Sequence, residues 1–381
     1  MFVNATTLVV GGGIQVGISF IEYASRSDSG DVDFLFTVSR PIYDSFPTEL
    51  QNDSRVHLFD VSPARILRGH KSRSVLKQLE REFRPDLIYT LGLPSYTRFR
   101  SPEVGRYTNP WEIFPTPLAW SSIPIHERIT VFVKCQYRLF WARRASFFET
   151  QTEAAKSGIA RRLNIPTSRI KVVPNAPNPI FFAAGNTADG MPPSNQVNIF
   201  CLAAAYRHKN LGIIPEVADC LKRLCPDKKF NFIITLPQRC RLTDEILEKS
   251  RRLGVSEMIN NVGTLKLTEC IHWYQKSDII LLPTLLEVFS ATYVEAMAMQ
   301  KPIITSDLDF ARSVCGDAAL YYDPQSAQAA AEAVMAIVSD GHLQAELVER
   351  GRIQLKTFPE PERKHQMIIE WLGELAQGHR Y

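Results

Sequence analysis

Two glutamates, Glu287 and Glu295, stand with seven residues between them inside the apolar run LLPTLLEVFSATYVEAMAMQKPIITS (281–306). A carboxylate is costly to bury unless it is paired or hydrogen-bonded, so two in one such run call for a chemical reason. IILLPT reads as a buried strand, LLEVFSA as the loop at its carboxyl end and TYVEAMAM as the following helix. Glu287 then lies on the loop, and Glu295 about one and a half turns into the helix at about 3.6 residues per turn. Ser290 reads as the N-cap. Between the carboxylates lies a helix N-terminus, whose unpaired N–H groups and positive dipole end favour an anion. A nucleotide sugar has the matching order of sugar hydroxyls, diphosphate and ribose hydroxyls, and ionised carboxylates suit hydroxyls because they only accept hydrogen bonds.

Other stretches carry residues of chemical interest. LAAAYRHKNLG (202–212) follows a strand and offers Arg207, His208 and Lys209. A cation there would stabilise a departing diphosphate, on which charge builds in the transition state. Lys209 is the candidate; His208 reads as part of a solvated helix start. VVGGGIQVG (9–17) places Gly11, Gly12 and Gly13 between a strand and a helix, where backbone approaches a phosphate or sugar closely. A dinucleotide fingerprint is the rival reading, but no acidic residue ends the next strand. TLGLPSYTRFRSPEVGRYTNPWEIFP (90–115) reads as a long aromatic loop at a strand's carboxyl end, a common place for substrate-holding residues. Asp31/Asp33 and Asp307/Asp309 are Asp-x-Asp triplets that invite a metal reading, which we do not adopt. The helix read over 127–144 interleaves Arg128, Lys134, Arg138, Arg143 and Arg144 with Phe132, Tyr137, Phe140 and Trp141. It is expected either to pack its aromatics on the sheet or to touch anionic lipid.

The elements that must position these residues alternate between strand and helix along the whole chain, which argues for parallel α/β sheets. TTLVV (6–10), DFLFTVS, RVHLFDV and PDLIYTLG read as early strands; VNIFCLAA, KFNFIITLP, IILLPT and KPIITS read as later ones. PNAPNPIFFAAGNTADGMPPSNQ (174–196) has no periodic apolar face and is rich in Pro, Gly and Asn, as a linker is. Two domains are expected from 381 residues. The boundaries read as 1–178, a linker over 179–196 and 197–357. A last helix is read over 361–377; the family resemblance given below implies that it, with the chain end through 381, returns to the first domain.

A net charge of +4 is far from that of a dedicated nucleic-acid binder. The seven cysteines are odd in number and contain no CxxC pair, which favours reduced thiols over a disulfide framework or zinc site. Neither a leader peptide nor a membrane-spanning run is expected.

The block PTLLEVFSATYVEAMAMQKPIITSDLDFARSVCGDAALYYDP (283–324) resembles the signature of family 4 retaining glycosyltransferases of the GT-B fold (glycosyl transferases group 1), of the bacterial polysaccharide type. The resemblance implies two Rossmann-like domains facing each other across a cleft. It implies a hexose moved from a nucleoside diphosphate sugar, as co-substrate and without cofactor or metal, to a hydroxyl of a lipid-linked glycan. Under it, Glu287 and Lys209 are catalytic and Glu295 holds the ribose. Gly12, Gly13, Arg207, Gly263, Thr264, Leu265, Phe289, Ser290 and Ala291 line the donor. Tyr96, Arg98, Arg106, Asn109 and Trp111 face the acceptor, with Tyr107 beside them. Three positions depart from the family: Ala204 stands where an arginine is usual, and Val288 and Ser290 replace glycines. The setting it implies is the cytoplasm, with peripheral contact at the inner face of the membrane. A nucleotide-sugar epimerase, a catalytically silent sugar-nucleotide binder and a nicotinamide-dependent reductase are the alternatives.

Overall fold

A computed structural model describes residues 1–26, 32–185 and 196–378. The chain forms two compact units. The first comprises residues 1–114, 129–174 and the C-terminal segment from 362; the second comprises 115–128 and 175–361.

The first unit is built on seven strands: β1 (Phe2–Ala5), β2 (Leu35–Ser39), β3 (Val56–Phe59), β4 (Ile88–Thr90), β5 (Glu103–Arg106), β6 (Phe147–Thr150) and β7 (Ile170–Val172). They pair in the order β3-β2-β1-β4-β5-β6-β7, all parallel. Side chains alternate across the sheet. Val3, Phe36 and Tyr89 enter one core with Phe20 and with Ile368 and Leu372 of the C-terminal helix Pro361–Gly378. Phe2, Leu35 and Ile88 enter another with Leu76.

The second unit has six parallel strands: β8 (Gln196–Cys201), β9 (Lys229–Ile234), β10 (Ile259–Asn261), β11 (Ile279–Leu282), β12 (Ile303–Ser306) and β13 (Ala319–Tyr322). Their order is β10-β9-β8-β11-β12-β13. β11 is the apolar run IILL, buried at every position, as a central parallel strand covered on both faces must be. Ile199 and Phe200 of β8 point to opposite cores. In each unit the strand order reverses once, at β1/β4 and at β8/β11. Ligands of doubly wound sheets bind outside the carboxyl ends of the strands at such points.

The structure corrects several sequence-based expectations. The first strand is Phe2–Ala5, and 6–10 is loop. The stretch 90–115 is not one irregular loop: it contains β5 and the helix Pro110–Ile113. Within the expected linker, Pro179–Gly185 is a helix whose Phe181 is buried against Tyr274; residues 186–195 lie outside the described residues. Asp31 of the first Asp-x-Asp triplet also lies outside them. In the second triplet, Asp307 accepts from Arg312 Nε and Nη2 at 2.5 and 2.9 Å. The aromatics of helix Ile125–Ala142 do not all pack inward, since Phe132 and Phe140 are exposed. No helix among the described residues is long and apolar enough to cross a membrane.

Candidate functional site

In the second unit the strand-order reversal brings two loops together. The loop after β8 tightens into a 3-10 turn, Arg207–Lys209, closed by Asn210 in the left-handed region (φ 55°). The loop after β11 runs from 283 to 290 and carries Glu287. The two are fastened by backbone. Leu285 N–H donates to the His208 carbonyl at 2.7 Å, and the Thr284 hydroxyl donates to the same carbonyl at 3.2 Å. The fastening seats the Lys209 ammonium against the Glu287 carboxylate as an ion pair. The side chains are 17% and 12% exposed, so the pair is open to a ligand yet largely out of water.

The pair's electrostatics have two opposed parts. Burial lowers the Lys209 ammonium to about 8, because desolvation disfavours the charged form, while the touching carboxylate favours it. The neighbouring His208 imidazole is lowered to about 4 by burial and then by Lys209, and is neutral at pH 7. Lys209 is thus the cation of this turn that meets the carboxylate. Arg207 is held by Glu245, its Nη1 and Nη2 donating at 2.9 and 3.0 Å.

Glu295 sits in the helix Ala291–Ala298. Its Oε2 accepts from the Tyr274 phenol at 2.9 Å, and burial raises it to about 7 against the lowering effect of that bond. One carboxylate oxygen has a protein partner, which leaves the other able to accept from a ligand hydroxyl. Tyr274 carried no role in the sequence reading. It is one aromatic on the helix Leu267–Lys276, and nothing in its spacing marks it as a partner of Glu295.

The helix start between the glutamates is built differently from expectation. Ser290 occupies the N-cap position, but its hydroxyl makes no capping bond; its carbonyl accepts from Tyr293 N–H at 3.2 Å. Phe289 is buried edge-on against Phe358 at 5.7 Å, and Val288 is buried beside it. Ala291, the first helical residue, is exposed. Beyond β10, Gly263 adopts φ +82°, with open space where a side chain would stand. Its N–H donates to Asn261 Oδ1 at 3.3 Å. Thr264 is exposed and Leu265 half-buried.

The first unit holds the remaining sequence candidates. Gly11 has φ +75°, and Gly12 has open space around its α-carbon. Gly13 begins the helix Gly13–Arg26. The Thr7 hydroxyl donates to the Gly92 carbonyl at 2.7 Å, joining the loops after β1 and β4 at this unit's own reversal point. The loop setting expected for Arg106 is corrected: it ends β5, buried, with Nε 3.4 Å from Glu149 Oε1. Glu149 also accepts from the Tyr89 phenol. The C-terminal helix adds Lys364 here, lowered to about 7 by burial and by Arg106. Asn109 caps the helix Pro110–Ile113, accepting from Trp111 N–H at 3.1 Å, and Trp111 is half-buried. Tyr96 is buried and stacks on Tyr137 at 5.8 Å, and the Tyr107 phenol donates to Glu112 at 2.6 Å. Arg98 is exposed.

Residues 192–354 match the family described as glycosyl transferases group 1. The match lies wholly within the second unit. Both Glu287 and Lys209 lie inside it, as does Glu295. The O-antigen chain mannosyltransferase RfbU of Salmonella typhimurium is 24% identical over 186 residues, 48% of either chain, so the match spans about half the length of that curated relative. Two solved structures share the fold over 98% of both chains at 15% identity: a glycosyltransferase of Rickettsia africae (TM-score 0.70) and HepE of Anabaena in complex with UDP and glucose (TM-score 0.69). The architecture is that of the GT-B glycosyltransferases, and its second half matches the group 1 family.

Proposed function

We propose that the chain is a retaining, metal-independent glycosyltransferase that moves a hexose from a nucleoside diphosphate sugar to a hydroxyl of a lipid-linked glycan, in the assembly of cell-surface polysaccharide. The observation that carries this reading is the Lys209–Glu287 pair at the β8/β11 reversal. The Lys209 ammonium neutralises the diphosphate as the bond from the anomeric carbon to its oxygen breaks. Glu287 orients the hexose and supports the positive charge that develops on it. The acceptor oxygen forms the new bond on the same face, and its proton leaves with the departing phosphate oxygen. Glu295, braced by Tyr274, receives the ribose hydroxyls. The backbone around Gly263 and Leu265 faces the base. The O-antigen mannosyltransferase named above supports the polysaccharide setting; we place the reaction at the cytoplasmic face of the membrane.

A panel of nucleoside diphosphate sugars tests the reading, because a ligand that binds the folded state raises the melting temperature. The donor so found is then incubated alone and with lipid-linked glycan. Transfer to the glycan is the expected result. Epimerised donor without transfer, or binding with no turnover on any acceptor, overturns it.

A further inference from the structure

A cavity of about 360 Å³ lies in the second unit against the helix Arg241–Arg252. One face of that helix forms a wall. Leu242, Glu245, Ile246, Lys249 and Arg252 line the cavity, at the three- and four-residue steps that put side chains on one side of a helix. Arg207 and Gly212, from the chain that follows β8, line it as well. Three cations, Arg207, Lys249 and Arg252, are thus set against one carboxylate, Glu245.

These cations hold more N–H donors than their protein partners use. The Arg207 fork gives two N–H groups to Glu245 and retains others. The Lys249 ammonium meets the Gly212 carbonyl at 2.9 Å and Glu216 Oε1 at 2.7 Å, which leaves it a further donor. Arg252 is exposed at the cavity. Glu245 takes the two bonds of the Arg207 fork and one from Arg241 Nε at 3.0 Å, so it retains room to accept from a hydroxyl. An anion with several acceptor oxygens and a hydroxyl-bearing body answers this lining. A phosphate monoester brings three acceptor oxygens and about −1.5 to −2 charge at pH 7, and arginine forks match it in geometry as well as charge. The volume stands at the low end of small-ligand pockets, about 300–1,000 Å³, which suits a phosphate carried on one sugar. Leu242 and Ile246 offer that body an apolar side to lie on.

The cavity adjoins the reaction centre without being part of it. Arg207 and Lys209 belong to one 3-10 turn. Arg207 is nevertheless tied to helix Arg241–Arg252, and Lys209 to the loop after β11. Neither Lys209, Glu287 nor Glu295 lines the cavity.

We propose that this cavity is a second ligand site, which binds a phosphate monoester of sugar size and to which Arg207 belongs in place of the donor. The proposal stands on the lining and its charges and does not rest on the transferase reading. The test is isothermal titration calorimetry of the full chain with glucose 6-phosphate, inorganic phosphate and glucose. Glucose 6-phosphate is expected to bind, more tightly than inorganic phosphate, and glucose is not. Arg252→Ala and Lys249→Ala should each weaken binding about tenfold, the scale of one hydrogen bond to a charged group. Gly212→Leu fills the cavity from a position where a Cβ meets nothing within 4 Å, and should abolish binding with every charge in place. Melting temperatures check the folding of each variant. Arg252 is exposed, so its variant tests the site even if Lys249→Ala fails to fold. Lys209→Met should bind glucose 6-phosphate as the wild type does; loss of binding there assigns the ligand to the reaction centre and overturns the proposal. Absence of glucose 6-phosphate binding, equal binding of glucose or of inorganic phosphate, or wild-type binding by the Arg252 and Gly212 variants overturns it as well. Transfer assays on the same Lys209→Met protein report separately on the transferase reading.

Discussion

The Tyr274 phenol donates to Glu295 Oε2 at 2.9 Å from a ring that is fully buried and packed edge-on against Phe181 and Phe200 at 5.6 and 5.2 Å. Glu295 thus has its direction set from beneath, by a side chain with little freedom to move.

Tyr274→Phe keeps the packing and removes that bond. Burial already holds Glu295 at about 7, and losing a donor to the charged form raises it further. Donor affinity at pH 7 is expected to fall about tenfold, the scale of one hydrogen bond to a charged group. The midpoint of its pH dependence should move upward, with kcat at saturating donor little changed. Donor titrations from pH 6 to 9 check this.

Lys209→Met and Glu287→Gln each remove one charge of the pair. Transfer is expected to drop by about 10²–10³, the usual cost of losing a stabilising group aimed at developing charge. Glu287→Ala should be equally impaired, and an intact transfer rate in that variant would overturn the role given to the residue. Each variant leaves a poorly solvated charge without its partner, so its melting temperature should fall as well.

Glu103 gives a stability signature. It is buried in β5, accepts from the Thr90 hydroxyl at 2.6 Å and is raised by burial to about 7, from 4.5. The folded state therefore holds a proton that the unfolded chain releases between pH 4.5 and 7. That contribution is full below 4.5 and lost as pH rises through 7. Relative to Glu103→Gln, the wild type should lose about 3 kcal/mol across this window, at about 1.36 kcal/mol per pKa unit. Urea unfolding of both proteins at pH 5 and pH 8 measures the difference.

Gly263→Ala separates backbone strain from site chemistry. A Cβ has room there, but φ +82° is unfavourable to any L side chain. A loss of roughly 1–2 kcal/mol is expected. If the loop relaxes to relieve the strain, base discrimination among donors should narrow while Lys209-dependent transfer persists.

The sequence was most legible where periodicity and motif coincide. β11, its loop and the helix holding Glu295 were read correctly because a short apolar β-branched run bounded by Pro283 and followed by helix-forming residues leaves few alternatives. β5 was missed because EVGR carries two charges, and those charges are accommodated only by partners distant in sequence, Glu149 for Arg106 and Thr90 for Glu103. The same reason hid Tyr274, whose value depends on a residue in the next helix but one strand away. Asn109 shows the converse. Its type suggested a ligand contact, while its spacing before Pro110 equally fits the cap that it forms.

His208 offers more than its side chain. Its carbonyl takes both Leu285 N–H and the Thr284 hydroxyl, so the stems of the two loops are tied one residue before Lys209 and two to three before Glu287. Inserting or deleting a residue on one side of that tie changes the reach of one charge and not the other. The meeting of the two charges therefore depends on the spacing from this tie to each of them, and on β8 and β11, the paired strands from which the two loops spring.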